Sequence, residues 1–241
     1  MRWRFLYFQL FVISSTTPQH PRRREHPSTD LQPLLTTWKL QTTLLIPQPT
    51  TNKLPAMSST AVIPPKGVFV PTPTFFLPAS ASPKSLQAPV DTETQIAHSL
   101  FLARAGITGL TLLGSTGEAV HLSRSERSAL ISAVRKALDN DGFQDYPIMA
   151  GVLTNGELDD TLQWLDDYAK AGAQWGLVLA PGYFGPAVPQ EGLIEWFTAV
   201  ADRSPIPILV YNYPGVSNGV QVLPETYRAL AQHPRIVGCK M

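Results

Sequence analysis

Lys240 ends the apolar run Arg235-Ile-Val-Gly-Cys-Lys240, a setting in which an ammonium finds little water. Removing hydration disfavours the charged form, so the pKa falls and a nucleophilic free amine becomes available nearer neutral pH. That is how a lysine is readied to form a Schiff base with a carbonyl substrate. From Met57 onward the other lysines, Lys66, Lys84, Lys136 and Lys170, fall by pattern in loops or on polar helix positions. A strand-end lysine can instead run its stem along apolar surface and keep its charge in water, and lysine is rarely fully buried. Its neighbours must decide between the two.

Three other segments carry groups able to assist. Gly114-Ser-Thr-Gly-Glu118 offers hydroxyls at Ser115 and Thr116, while Gly114 and Gly117 let backbone amides come close to a carboxylate or phosphate. An ordinary glycine-punctuated turn gives the same pattern, and the spacing is not that of a Walker phosphate loop. Tyr211-Asn-Tyr-Pro214 places a phenol at a strand end, where it would face the same mouth as Lys240 and could move protons at a substrate oxygen. A buried tyrosine also often does no more than pair its hydroxyl. Pro181-Gly-Tyr183 is the fourth such segment.

From Gly67 onward, short apolar runs rich in β-branched residues alternate with helical stripes, the mark of parallel βαβ units. The expected strands are Gly67 to Thr72, Gly109 to Gly114, Tyr146 to Val152, Gly176 to Pro181, Ile206 to Asn212 and Ile236 to Lys240. The last three begin about thirty residues apart, the usual size of one such unit. Thr92-Glu-Thr-Gln95 and Ser123-Arg-Ser-Glu126 have capping-box spacing and should start helices. Leu158, Leu162, Leu165 and Ala169 should form one buried stripe, as should Leu193, Phe197 and Val200. Continuously apolar strands imply cover on both faces, which suits a barrel or a doubly wound sheet, and both carry their sites at the strands' C-terminal ends.

The N-terminal 56 residues differ. They hold seven Arg or Lys against two Asp or Glu, whereas the rest carry 12 against 16, and they show no sustained period. Their apolar stretch Phe5 to Ile13 falls short of the roughly 20 residues a membrane-spanning helix needs. It has some features of a signal-peptide core, and the later Arg and Ser/Thr content some of a transit peptide. The preferred reading starts the protein at Met57, with 1–56 a disordered or untranslated extension and 57–241 the folded domain. No basic footprint for nucleic acid is evident. The single cysteine, Cys239, excludes an internal disulfide framework and a multi-cysteine metal site, and is consistent with a reducing compartment.

Taken together, Gly114-Ser-Thr-Gly-Glu118 with Leu122-Ser-Arg-Ser-Glu126, Tyr211-Asn-Tyr-Pro214 and Gly238-Cys-Lys240, in this order and spacing, resemble the dihydrodipicolinate synthase and N-acetylneuraminate lyase family. The similarity runs from about Gly67 to the last residue. The resemblance implies a (β/α)8 TIM barrel of the α/β class, needing no metal or cofactor, with Lys240 forming an imine with pyruvate or another 2-keto acid. It implies that Tyr211 relays protons with Ser115, and that Thr116 holds the substrate carboxylate beside the Gly114 and Gly117 amides. Tyr183 matches a tyrosine that in many members reaches into a neighbouring subunit's site, implying a homo-oligomer, dimer or tetramer.

Members that condense pyruvate with aspartate semialdehyde carry an arginine soon after the Tyr-Asn-x-Pro motif. This chain reads Pro214-Gly-Val-Ser-Asn218, without it. The run is most similar to aldolases that cleave 4-hydroxy-2-oxoglutarate or L-threo-3-deoxy-hexulosonate to pyruvate and an aldehyde. Condensation of the dihydrodipicolinate synthase kind, or dehydration of a sugar acid through the same imine, are the alternative reactions. The family barrel continues beyond a sixth strand, so a barrel truncated there is expected, with a non-catalytic remnant as a further alternative. A small-molecule 2-keto acid is the expected partner, neither nucleic acid nor membrane is, and the expected location is the cytoplasm, or the mitochondrion if the extension is a transit peptide.

Overall fold

The computed structural model describes residues 11–12, 61–78, 80 and 87–241, all within one compact unit. Most of the N-terminal extension, including Arg22-Arg23-Arg24, lies outside these residues, as do Met57 and Lys84. The strands are β1 (Phe11–Val12), β2 (Val68–Pro71), β3 (Gly109–Leu112), β4 (Ile148–Val152), β5 (Trp175–Leu179), β6 (Ile208–Tyr211) and β7 (Ile236–Lys240). The helices are α1 (Thr92–Arg104), α2 (Arg124–Asn140), α3 (Leu158–Ala171), α4 (Gln190–Arg203) and α5 (Pro224–Leu230). Each of the six strands expected from Gly67 onward is present: Ile236–Lys240 has the expected bounds, Trp175–Leu179 starts one residue early and stops two short, and the other four are shortened. The two-residue β1 joins the edge of β2 antiparallel, so this small part of the extension pairs with the sheet.

Sheet order decides what the sequence left open. Strands β2 to β7 are parallel and adjacent in chain order, with no reversal. A doubly wound sheet would reverse at a switch point. Successive helices α1 to α5 pack as neighbours along one side, as in the wall of a βα barrel. Strands β3 to β6 are buried at every residue, whereas β2 and β7, at the ends of the parallel array, are partly covered.

The helix starts follow local chemistry, with one correction. Ser123 and Glu126 form both halves of the capping box on α2. At α1 the expected box from Thr92 to Gln95 does not form. Asp91 caps the helix instead, accepting from the Thr94 backbone N–H and hydroxyl. Its carboxylate supplies a stronger, charged acceptor one residue earlier, and Gln95 turns inward to full burial. The stripe on α4 is as expected, with Leu193, Phe197 and Val200 buried. On α3 the buried residues are Thr161, Leu165, Tyr168 and Ala171, while Leu158 and Leu162 pack at the margin. Thr161 tolerates the core because its hydroxyl donates to the Glu157 carbonyl and pairs with that of Thr154 at 2.6 Å. Apolarity alone does not reveal a polar residue whose hydroxyl is satisfied by residues four and seven positions back.

Candidate active site

Side chains at paired positions of parallel strands share a face, so register decides what meets at the strand ends. Between β6 and β7 the register contains one irregularity. Ile208 pairs with Ile236 but the next residue, Leu209, pairs with Gly238, leaving Val237 as an extra residue. This bulge moves β7 on by one position and sets Lys240 opposite Tyr211. Without it, Cys239 would stand there and Lys240 would pair one residue beyond. Cys239 pairs instead with Val210 and so occupies the other face.

Lys240 is 5% exposed, whereas Lys66, Lys136 and Lys170 are all exposed. Its ammonium lies 4.4 Å from the centroid of the Tyr211 ring, and no hydrogen bond or ion pair engages it among the described residues. Desolvation by burial lowers its pKa below 10.5. The ring face acts in the opposite sense, favouring the charged form. Tyr211 is 2% exposed and its hydroxyl pairs with that of Ser115 at 3.0 Å. Burial raises its pKa, the Ser115 hydrogen bond opposes that rise, and the neighbouring Tyr213 adds to it. The arrangement therefore favours an amine that gives up its proton readily beside a phenol that keeps its own. Burial likewise raises the pKa of the Cys239 thiol.

The remaining residues singled out from sequence sit differently. Thr116 is exposed at the rim. Gly114 is buried, but a side chain there would meet no atom within 4 Å, so the space on its Cβ side is open. Gly117 is used otherwise: a Cβ there would lie 2.9 Å from the Leu113 nitrogen, so protein backbone rather than open space faces it. Tyr183 is 73% exposed, stacks edge-on against Phe184, and is not brought to Lys240. It lines a cavity of about 460 Å³ with Asn155, Glu157, Phe184 and Trp196. The smaller cavity that includes Ser115, about 180 Å³, is bounded by Val120, Leu153, Thr154, Leu179 and Val216. The larger space is thus not the one beside the reactive groups, and chemistry identifies the site better than volume does.

Sequence reasoning did not single out Thr74, whose hydroxyl donates to the Gly117 carbonyl at 2.6 Å, or Leu113, buried in a left-handed conformation (φ 57°). The polar Thr72-Pro-Thr74 that follows β2 was a usable signal for the first. Nothing in the residue types signals the second. Among the described residues no group of three or more His, Cys, Asp or Glu is placed to hold a metal ion, and no helix is long and apolar enough to cross a membrane.

A singly wound parallel βα array with a buried lysine and tyrosine at its C-terminal rim defines the class as the wall of a βα barrel. The sequence places it more closely. Residues 76–241 match the model of the Dihydrodipicolinate synthetase family, and the chain belongs to that family. It is 42% identical over 176 residues to an L-threo-3-deoxy-hexylosonate aldolase of Hypocrea jecorina, covering 73% of this chain and 53% of the relative. It is 40% identical over 175 residues to a probable mitochondrial 4-hydroxy-2-oxoglutarate aldolase of Emericella nidulans, covering 73% and 54%. Among solved structures, a putative dihydrodipicolinate synthase family protein from Coccidioides immitis superposes with a TM-score of 0.63 at 31% identity, covering 74% of this chain and 53% of that one. The chain spans about half the length of the curated relatives it matches.

Proposed function

We propose that the protein is a class I pyruvate aldolase, cleaving a 2-keto-3-deoxy or 4-hydroxy-2-keto acid to pyruvate and an aldehyde. The observation that carries this is the pairing of Lys240 with Tyr211 across β6 and β7, with Ser115 on the phenol. The Lys240 amine attacks the C2 ketone, and the carbinolamine hydroxyl leaves as water after taking a proton from Tyr211. The protonated imine is the electron sink. Tyr211, now a phenolate, accepts the proton of the C4 hydroxyl, the C3–C4 bond breaks, and the aldehyde departs. The resulting enamine takes a proton at C3, and water releases pyruvate and the free amine. Ser115, bonded to Tyr211, steadies the phenol through both transfers.

The names of the Hypocrea and Emericella relatives support aldol cleavage over condensation, as does the lack of an arginine after Tyr211-Asn-Tyr-Pro214. In this reading Thr116 and the Gly114 amide receive the substrate carboxylate, and exposed Tyr183 serves a neighbouring subunit in a homodimer or homotetramer. Two relatives carry mitochondrial names, which favours that compartment over the cytoplasm; cell fractionation distinguishes them. The deciding experiment is borohydride reduction with pyruvate, followed by intact mass and peptide mapping. A pyruvyl adduct on Lys240 is expected. An unmodified Lys240 would overturn the mechanism for this chain and favour a non-catalytic role.

A further inference from the structure

The segment that carries Ser115 leaves β3 through a residue poorly suited to its conformation. Leu113 is bulky and buried, yet adopts φ 57°, a region that such residues rarely enter. Backbone holds it there from two sides. On one side is β4, where a Cβ on Gly151 would fall 2.3 Å from the Leu113 oxygen and 2.8 Å from the Gly114 Cα. On the other is Gly117, where a Cβ would lie 2.9 Å from the Leu113 nitrogen and 3.2 Å from the Thr72 oxygen. Gly117 is itself tied to the end of β2 through Thr74. Glu118, also left-handed at φ 51°, closes the loop by donating its N–H to the Ser115 carbonyl at 3.2 Å. These neighbours are backbone atoms of a buried sheet and a tied loop, which cannot swing aside as a side chain could.

We propose that Gly151 is a positioning residue for the proton relay: its lack of a side chain lets the Leu113–Gly114 turn seat against β4, and that seating sets the Ser115 hydroxyl on Tyr211. The inference rests on the aldolase reading for its effect on turnover, but not for the contact itself. A methyl group at Gly151 must push the turn away by about 1 Å to reach ordinary contact, enough to break a 3.0 Å hydrogen bond two residues along. Misplacement on that scale can cost on the order of a hundredfold in rate.

The test uses the 241-residue chain with Gly151→Ala, Ser115→Ala and the double variant. The first readout is ionisation of Tyr211, taken as an ultraviolet difference titration against Tyr211→Phe. Lys240 and Tyr213, which also face this phenol, are unchanged throughout. Because the Ser115 hydrogen bond lowers the Tyr211 pKa, Gly151→Ala should raise it as far as Ser115→Ala does, and should add nothing in the Ser115→Ala background. The second readout is kcat, expected to fall about a hundredfold while pyruvate is still trapped on Lys240. An unmoved titration in Gly151→Ala, or an equal further shift in the double variant, would overturn the proposal. If Gly151→Ala does not fold, Gly117→Ala, which presses Leu113 from the loop side, carries the same titration prediction. Failure of the unmodified chain to trap pyruvate would overturn the aldolase reading instead, leaving the titration to decide the role of Gly151.

Discussion

Strand-borne and loop-borne residues of the candidate site differ in kind. Tyr211 and Lys240 close neighbouring strands, are nearly inaccessible to water, and have positions fixed by the hydrogen-bond register of a buried sheet. Thr116 and Tyr183 sit on loops at the rim and are exposed, with Tyr183 resting on Phe184 rather than on the reactive pair. The groups to which the proposed mechanism assigns proton transfers lie where water is excluded and pKa values move. Those suited to contact substrate or another subunit lie where a partner can reach them. Ser115 joins the two sets: its segment is a loop, but the loop is clamped against β2 and β4.

The largest expected effect tests the strand-borne pair. Lys240→Ala should abolish the borohydride adduct and lower turnover on the order of 10⁴- to 10⁶-fold, as removal of a nucleophile does. Retained adduct at another lysine would break the contrast between buried Lys240 and its exposed counterparts. Tyr211→Phe should lower turnover by roughly 10²- to 10⁴-fold, since the ring remains and only the proton carrier is lost. Steady-state kinetics with a 4-hydroxy-2-keto acid would measure it, and unaltered turnover would show that the phenol does not carry the proton.

The pH dependence follows from the sign of the Lys240 shift. Trapping should begin to rise with pH below the 10.5 of an ordinary lysine, because burial releases the proton earlier. Above 10.5 the amine is neutral whether the chain is folded or unfolded. As pH falls from there to the lowered value, the unfolded chain alone takes up the proton, so stability declines, and below that window the whole cost is present. Lys240→Met should therefore raise Tm at pH 7 and remove this part of the alkaline gain, as thermal unfolding at several pH values would show. A lower Tm at pH 7 would mean that the ammonium is held by favourable contacts.

The smallest effects belong to the rim and the frame. Ser123→Ala should destabilise the fold by about 1 kcal/mol through loss of the α2 cap, measurable by denaturant unfolding. Tyr183→Ala should leave the Tyr211 titration unchanged. Its effect on turnover should be confined to oligomeric preparations, and a fall of similar size in monomer isolated by size exclusion would show that Tyr183 serves its own subunit.

Much of this architecture was legible because it is local. Strand positions follow from apolar runs, the α2 start from Ser123 and Glu126, and the α4 face from Leu193, Phe197 and Val200; each depends on neighbours a few residues away. The misreadings arose where a charge or a hydrogen-bond partner, rather than spacing or apolarity, decided the outcome. Asp91 displaced the expected cap of α1 with a charged acceptor, and Thr161 entered the core because Thr154 and Glu157 satisfy its hydroxyl. Lys240 stood out by its apolar surroundings, since any lysine closing a buried strand loses hydration.

The sequence by itself determined the residue types at the rim and the order of strands and helices, because periodicity and capping are written in short stretches of chain. Tertiary structure alone decided which of these residues meet. The extra residue Val237 shifts β7 so that Lys240, and not Cys239, stands beside Tyr211, and no local signal marks it. The left-handed turn at Leu113 that delivers Ser115 is possible only because Gly151, on another strand, leaves room. Register and close backbone approach are relations between segments far apart in the chain, and they exist only once the sheet has formed.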